Sequence, residues 1–398
     1  MARSEIFDYD NRRRLSDATG LYGDIDYVYD AVGNRTSRVT DDGVIVVTDS
    51  YTMATTSNRL STVNDGSTTR TLSYSAAGAV TTDDRGAGTP FDLGYNDENR
   101  LVSIKQGTTT LASYQHNALG ERVVRTAGSA TTHYHYDRDG RLIAESDGTG
   151  AAIREYLYLG DLPLAVVDHT GVGSAALYHV HADHLSTPRV MTDGTKAVVW
   201  DAVFKPFGEV ASLSGTAVND NRFPGQLVDA VAGFHYNYFR DYDPTTGRYM
   251  QSDPIGLEGG LNTYAYVFSD PIHLIDPKGL EALVIGDDLS GKSCATSGEI
   301  LFATAVTLGP LALALLPEEA TILLMTLTRS TGKQVVKFLK DEVGGRTRGG
   351  HRKNRRPSVK HKHEMGEARR QMDQSQFGEK GDVRRPYHKS GKSSGRRK

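Results

Sequence analysis

RYMQSDPIGLEGGLNTYAYVFSDPIHLIDPKGL, residues Arg248–Leu280, is the stretch around which this chain is organised. It holds two Asp-Pro-x-Gly units, Asp253–Gly256 and Asp276–Gly279. Between them lie Gly259-Gly260 and the alternating pair Tyr264 and Tyr266. Proline presets φ and glycine accepts positive φ, so each unit reads as a tight turn. So many turn residues in so short a span fix a path rather than fill a core. The residues leave two readings open: a structured hinge between domains, or a site at which the chain is processed.

Working outward, 398 residues exceed the size at which a single core stops growing, so more than one unit is expected. Only 38% of residues are hydrophobic, there are 42 glycines, and Tyr supplies 20 of the aromatics against 11 Phe and 1 Trp. This composition fits β-structure with many turns and half-wet faces better than a helical bundle. One cysteine, Cys294, excludes an intramolecular disulfide framework. Residues 1–25 contain no apolar run of signal-peptide type, so export by a cleaved signal is not expected.

The net charge of −3 hides an asymmetry. Residues 281–398 carry 23 Lys and Arg against 13 Asp and Glu, leaving 23 basic and 36 acidic residues in 1–280. An acidic body joined to a basic end implies two functions, the second directed at a polyanion.

Residues 1–160 repeat. Tyr9, Tyr29, Tyr51, Tyr74, Tyr95, His116, Tyr136 and Tyr158 recur at intervals of 20 to 23 residues. The clearest copies are YVYDAVGNR (Tyr27–Arg35), YQHNALGER (Tyr114–Arg122) and YHYDRDGRL (Tyr134–Leu142). Tyr-x-Tyr places both rings on one face of a strand, and Asp or Asn followed by Gly is hairpin chemistry. A period of two strands and two turns predicts one long antiparallel ribbon.

These repeats resemble the YD-repeat of Rhs and teneurin-type proteins. YHVHADHLSTPRVMTD (Tyr178–Asp193), VVWDAVFKPFGEV (Val198–Val210) and NRFPGQLVDAVAGFHYNYFRDYDPTTGRYMQSDPIG (Asn221–Gly256) are similar to the Rhs core almost motif for motif. The resemblance covers about the first 280 residues. It implies a mainly β fold: a ribbon or shell, here a partial cocoon, over YD repeats 1–160 and a core at 161–280. A small α-rich basic domain would follow. It also implies a polymorphic toxin whose variable C-terminal end is released. In that class the DPxGL signature is an aspartyl self-protease that cuts after the second Leu. Arg248, Asp253 and Asp276 take the catalytic positions, and the cut falls at Leu280–Glu281. The residues alone agree only this far: acid catalysis of peptide cleavage needs two adjacent carboxylates, and Asp253 and Asp276 sit in matched turns. Ser269-Asp270-Pro271 stands where that class usually has Asn-Pro. A rival reading is an adhesion module, as in teneurin-like uses of the repeat.

His179, His181, Asp183 and His184 have ligand-like spacing, but no second His or Cys cluster completes a site, so a polar turn is expected and no metal or cofactor is assigned. Ile300–Leu316 is an uncharged apolar run, broken at Pro317-Glu318-Glu319 and resumed at Thr321–Leu327. It is short for a span of roughly 20 residues, so residues 281–343 read either as a buried helix pair or as a segment that makes transient contact with a target membrane.

In the tail, residues 344–398, His363, Glu367 and Arg370 share one side of a helix over Val359–Gln374, with Lys380 and His388 beyond. Histidine with a carboxylate beside cations can cleave RNA without a metal: a base activates the 2′-hydroxyl and a cation meets the phosphate. No HExxH, P-loop or CxxC pattern appears. The expectation is a ribonuclease, with plain nucleic-acid binding or pore formation as alternatives. An immunity protein and a delivery machine are the implied partners. The chain would reside in a bacterial cytoplasm before delivery into a target cell.

Overall fold

A computed structural model describes residues 4–171 and 175–284. The apolar segment 300–327 and the tail residues His363, Glu367, Arg370, Lys380 and His388 lie outside the described residues.

Among the described residues, twenty strands from Ile6–Tyr9 to Val210–Gly215 form one sheet. Each strand pairs antiparallel with the next in sequence, as Ile6–Tyr9 with Leu15–Gly20 and Val198–Phe204 with Val210–Gly215. This is the predicted ribbon. Its period comes from a five-residue turn. In three copies Asp30, Asn117 and Asp137 each accept, through Oδ1, the amides two and four residues on, at 2.9–3.0 Å. A glycine at the fourth position takes positive φ, 87° at Gly33 and 84° at Gly140, which L side chains rarely adopt.

The repeat tyrosine sits where the strand register shifts, at Tyr9, Tyr29, Tyr74, His116, Tyr136 and Tyr158. In the third copy that place belongs to Met53, and Tyr51 falls two residues earlier, level with Tyr27 and Tyr114. Period-2 geometry turns both positions to the same side, and that side is buried. Tyr51, Leu60, Leu93, Ile104 and Tyr114 pack there with Phe234 and Met250. Tyr134, Tyr156, Trp200 and Phe204 pack with Leu227 and Tyr236. A four-stranded antiparallel sheet, with Met250 just past its last strand, supplies those partners: Leu227–Asp229, Phe234–Asn237, Arg240–Asp243 and Arg248–Tyr249. Residues 221–284 therefore occupy the ribbon's inner face. The ribbon curls, so that Tyr27 meets Phe207 at 5.2 Å and Arg189 faces Glu5 at 3.6 Å.

Buried ion pairs fasten the inner sheet to the ribbon. Arg122 is 2% exposed. It bonds Asp241 at 2.7 Å, faces Asp229 at 3.5 Å, and stands over Tyr114 and Tyr236. Arg122→Met would leave both carboxylates buried without this cation. Such a break costs about 3–5 kcal/mol, and urea unfolding should show a loss of that size. A loss below about 1 kcal/mol would mean that Arg125 and Gln251 already satisfy the acids.

His235 is 2% exposed, and its Nδ1 donates to Gln226 Oε1 at 2.8 Å. Burial, reinforced by Arg222, pushes its pKa down from 6.5 to about 3. The unfolded chain therefore binds a proton that the folded chain refuses. Stability is full above about 6.5 and falls as pH drops toward about 3. The urea midpoint should fall through that window, and His235→Gln should flatten the fall.

Candidate active site

Three short hairpins converge on one buried point. Asn237 pairs with Arg240 across the Tyr238-Phe239 turn, and Tyr242 pairs with Tyr249. The third hairpin joins Leu274–Ile275 to Leu283–Val284. Its loop holds both Asp276 and the Leu280–Glu281 bond. The Asp-Pro-x-Gly turns behave as their chemistry demands. Asp253 Oδ1 accepts the Ile255 amide at 3.0 Å. Asp276 Oδ1 accepts the Leu280 amide at 2.9 Å.

The two carboxylates meet through one guanidinium. Arg240 Nη2 lies 2.9 Å from Asp253 Oδ2 and 3.2 Å from Asp276 Oδ2. Its Nε donates to the Gly279 carbonyl at 2.6 Å and its Nη1 to Thr263 at 3.2 Å. Its Cζ stands 3.6 Å above the Tyr249 ring. Tyr249 donates its hydroxyl to Asp276 Oδ2 at 2.7 Å. Asn237 Nδ2 donates to Tyr249 Oη and to the Asp276 carbonyl. All four side chains, Asn237, Arg240, Asp253 and Asp276, are buried.

Gly259 shows where the chemistry would fall. A Cβ built on it would collide with Asp253 Oδ2 and stand 3.0 Å from the carbonyl oxygen of Leu280. Those two oxygens therefore face the same small space. Burial raises the pKa of both aspartates, against the lowering pull of Arg240. Two desolvated carboxylates around one cation favour holding a proton between them.

Of the residues named from the sequence, Asp253 and Asp276 come together and Arg248 stays apart. Its guanidinium bonds Asn34 Oδ1 at 2.9 Å and the carbonyl of Asn58, with the Tyr264 ring beside it. Arg240, not Arg248, is the cation at the aspartates. The reason is strand alternation: Tyr249 faces Asp276, so its neighbour Arg248 points to the opposite face. Tyr249, Asn237 and Gly259 were also missed. Only the alternation of Arg248 and Tyr249 was available as a signal, and it does not say which face the aspartates take. In the His179–His184 stretch, His181 bonds Thr192 Oγ1 at 3.0 Å, and His184 Nε2 donates to the Ile272 carbonyl at 2.8 Å. Asp183 closes a turn onto Leu185 and Thr187.

The family described as RHS protein matches residues 177–213. "Double-stranded DNA deaminase toxin A" of Burkholderia cenocepacia is 30% identical over 240 residues, 52% of this chain and 16% of the relative. "Probable deoxyribonuclease RhsA" of Dickeya dadantii is 31% identical over 220 residues, 50% of this chain and 15% of the relative. "tRNA nuclease WapA" of Bacillus subtilis is 29% identical over 267 residues, 64% of this chain and 11% of the relative. A solved Photorhabdus luminescens Tc holotoxin pore shares the fold, with a TM-score of 0.50 at 16% identity over 74% of this chain and 17% of that one. The chain carries the pattern of the family described as RHS protein at residues 177–213 and is similar to these relatives over half or more of its length. It spans less than a fifth of the length of these relatives.

Proposed function

We propose that the Arg240–Asp253–Asp276 cluster hydrolyses the Leu280–Glu281 bond of its own chain, freeing residues 281–398 as a toxin. The observation that carries this is the shared space of Asp253 Oδ2 and the Leu280 carbonyl oxygen, with the Leu280 amide held by Asp276. Asp253, beside the carbonyl oxygen, is the group that holds the proton and gives it to that oxygen as water adds to the carbon. Asp276 accepts from Tyr249, Leu280 and Arg240, which favours its ionised form. It takes the proton of the attacking water and passes it to the Glu281 nitrogen as the C–N bond breaks. Arg240 holds the pair in register and keeps the second proton away. The intact mass of the purified chain tests this: cleavage yields a fragment that begins at Glu281.

For the freed end we infer action on nucleic acid in a target cell, RNA before DNA, without a metal. The support is the basic excess of residues 281–398 and the printed names of the relatives, which include a tRNA nuclease, a probable deoxyribonuclease and a DNA deaminase toxin. His363, Glu367, Arg370, Lys380 and His388 are the residues assigned to it. Membrane damage through residues 300–327 is the second reading, favoured by the two apolar runs alone. A toxin of this kind requires an immunity protein in its producer and a machine that delivers it from the cytoplasm.

A further inference from the structure

Gly259 borders the space shared by Asp253 Oδ2 and the Leu280 carbonyl, and it is carried by a loop, residues 254–262. The Asp253 amide closes the base of that loop on the Thr263 carbonyl at 2.8 Å. The loop's own apolar side chains do not anchor it. Leu257 and Leu261 are 72% and 74% exposed, and the 3₁₀ turn Gly256–Gly259 contains no buried residue. A loop with so little burial needs polar contacts to keep one position.

Among the described residues, two hydrogen bonds join this loop to the ribbon, and both reach turns of the repeat. Asn262 Nδ2 donates to Asn34 Oδ1 at 2.8 Å, and Asn58 Nδ2 donates to the Leu261 carbonyl at 3.0 Å. These partners lie 228 and 203 residues apart in the chain. Asn34 and Asn58 hold the same place in successive copies, each followed by Arg. They also bond each other, Asn34 Nδ2 donating to Asn58 Oδ1 at 3.1 Å. The Leu261–Asn262 peptide then closes a ring that runs from Asn262 to Asn34, to Asn58 and back to Leu261. The ring fixes the orientation of its amides. The Leu261 carbonyl can only accept, so Asn58 turns its NH₂ to it and its oxygen to Asn34. Arg248 can only donate, and its bond to Asn34 Oδ1 at 2.9 Å sends the Asn34 NH₂ to Asn58. Arg248 itself makes no hydrogen bond to residues 254–262 among the described residues.

We propose that Asn34 and Asn58 are positioning residues for self-cleavage: their ring latches the Gly259 loop beside the scissile carbonyl, so that the chain cuts only once these two repeat turns have docked. This role rests on the aspartate cluster being the cleaving site. Neither asparagine touches the reacting atoms; both act through the loop backbone. Reacting groups tolerate little displacement, and a shift of about 1 Å caused far from the chemistry can cost about 10²-fold in rate. A site completed by turns so distant in sequence cuts a wrapped chain and spares an unwrapped one.

The test is the rate at which the fragment beginning at Glu281 appears, by intact mass, after the full chain is diluted out of urea. Trp200, the single tryptophan and 2% exposed, reports folding by its fluorescence in the same samples. Asn58→Asp and Asn262→Asp keep the size of the side chain and delete one donor of the ring each. Either should slow cleavage by at least about tenfold while Trp200 reaches its folded signal. The double variant should cut no more slowly than the slower single, because one broken link already opens the ring, whereas independent effects on structure would multiply. An unsubstituted chain that folds and stays whole overturns the reading of the aspartate cluster and the latch with it. An unsubstituted chain that cuts, with both single variants cutting at its rate, overturns the latch alone, and so does a double variant whose losses multiply. If Asn262→Asp, at a buried residue, fails to fold, Asn58→Asp in its half-buried turn decides.

Discussion

Asp253→Asn, and separately Asp276→Asn, should leave the purified chain at a single full-length mass, where the unsubstituted chain yields a fragment starting at Glu281. Each substitution removes one of two proton-transfer groups, and such a group contributes about 10²- to 10⁴-fold to rate. Arg240→Gln should slow cleavage as well, since both carboxylates share its Nη2. Arg248→Gln should still cut, because its bonds go to Asn34 and Asn58. Gly259→Ala gives a separate check. Its Cβ would displace Asp253 Oδ2 from the space it shares with the Leu280 carbonyl while leaving all three charged groups in the sequence. Loss of cleavage with retained folding is the expected result. Unimpaired cutting by Gly259→Ala and Arg240→Gln, with Arg248→Gln uncut, would return the catalytic cation to Arg248. The pH profile has a sign too. Burial raises both aspartates, so a shared proton persists above the usual carboxylate range, and the rate should fall as rising pH removes it.

The second large effect concerns the freed end. Expression of the chain in bacteria without a protecting partner should arrest growth and degrade total RNA, and His363→Ala should abolish both. His351, His361, His363 and His388 are the tail side chains whose ordinary pKa lies near neutrality, as a general base and acid require. On the helix expected from the sequence, Glu367, four residues after His363, would orient its ring, and Arg370 or Lys380 would meet the phosphate. RNA is favoured because metal-free cleavage is easiest where the 2′-hydroxyl is the nucleophile. Equal toxicity of the two forms with RNA intact would remove the nuclease and point to residues 300–327 acting on membranes.

The ribbon was legible because its determinants are local. An Asp or Asn that bonds amides two and four residues on, a glycine at positive φ and a tyrosine two residues apart in a strand act within nine residues, and the order of strands then follows the order of sequence. Even the slip at Tyr51 is local: the third copy puts Met53 at the register shift and keeps Tyr51 on the buried side. The two Asp-Pro-x-Gly turns were legible for the same reason, and so was the pairing of Asp253 with Asp276 as a possibility.

Which cation joins them was decided elsewhere. Arg240 and Arg248 stand in similar company, each beside a Tyr-rich strand of the same small sheet. The choice depends on which face of that sheet meets the ribbon and which meets the Asp276 hairpin. Burial of Phe234, Tyr236 and Met250 against ribbon strands far earlier in the chain sets that orientation. Once Tyr249 turns toward Asp276, alternation sends Arg248 to Asn34 and leaves Arg240 to the carboxylates. Hydrogen bonds within a turn are written in neighbouring residues, whereas the facing of a sheet is set by long-range burial, which only the tertiary structure resolves.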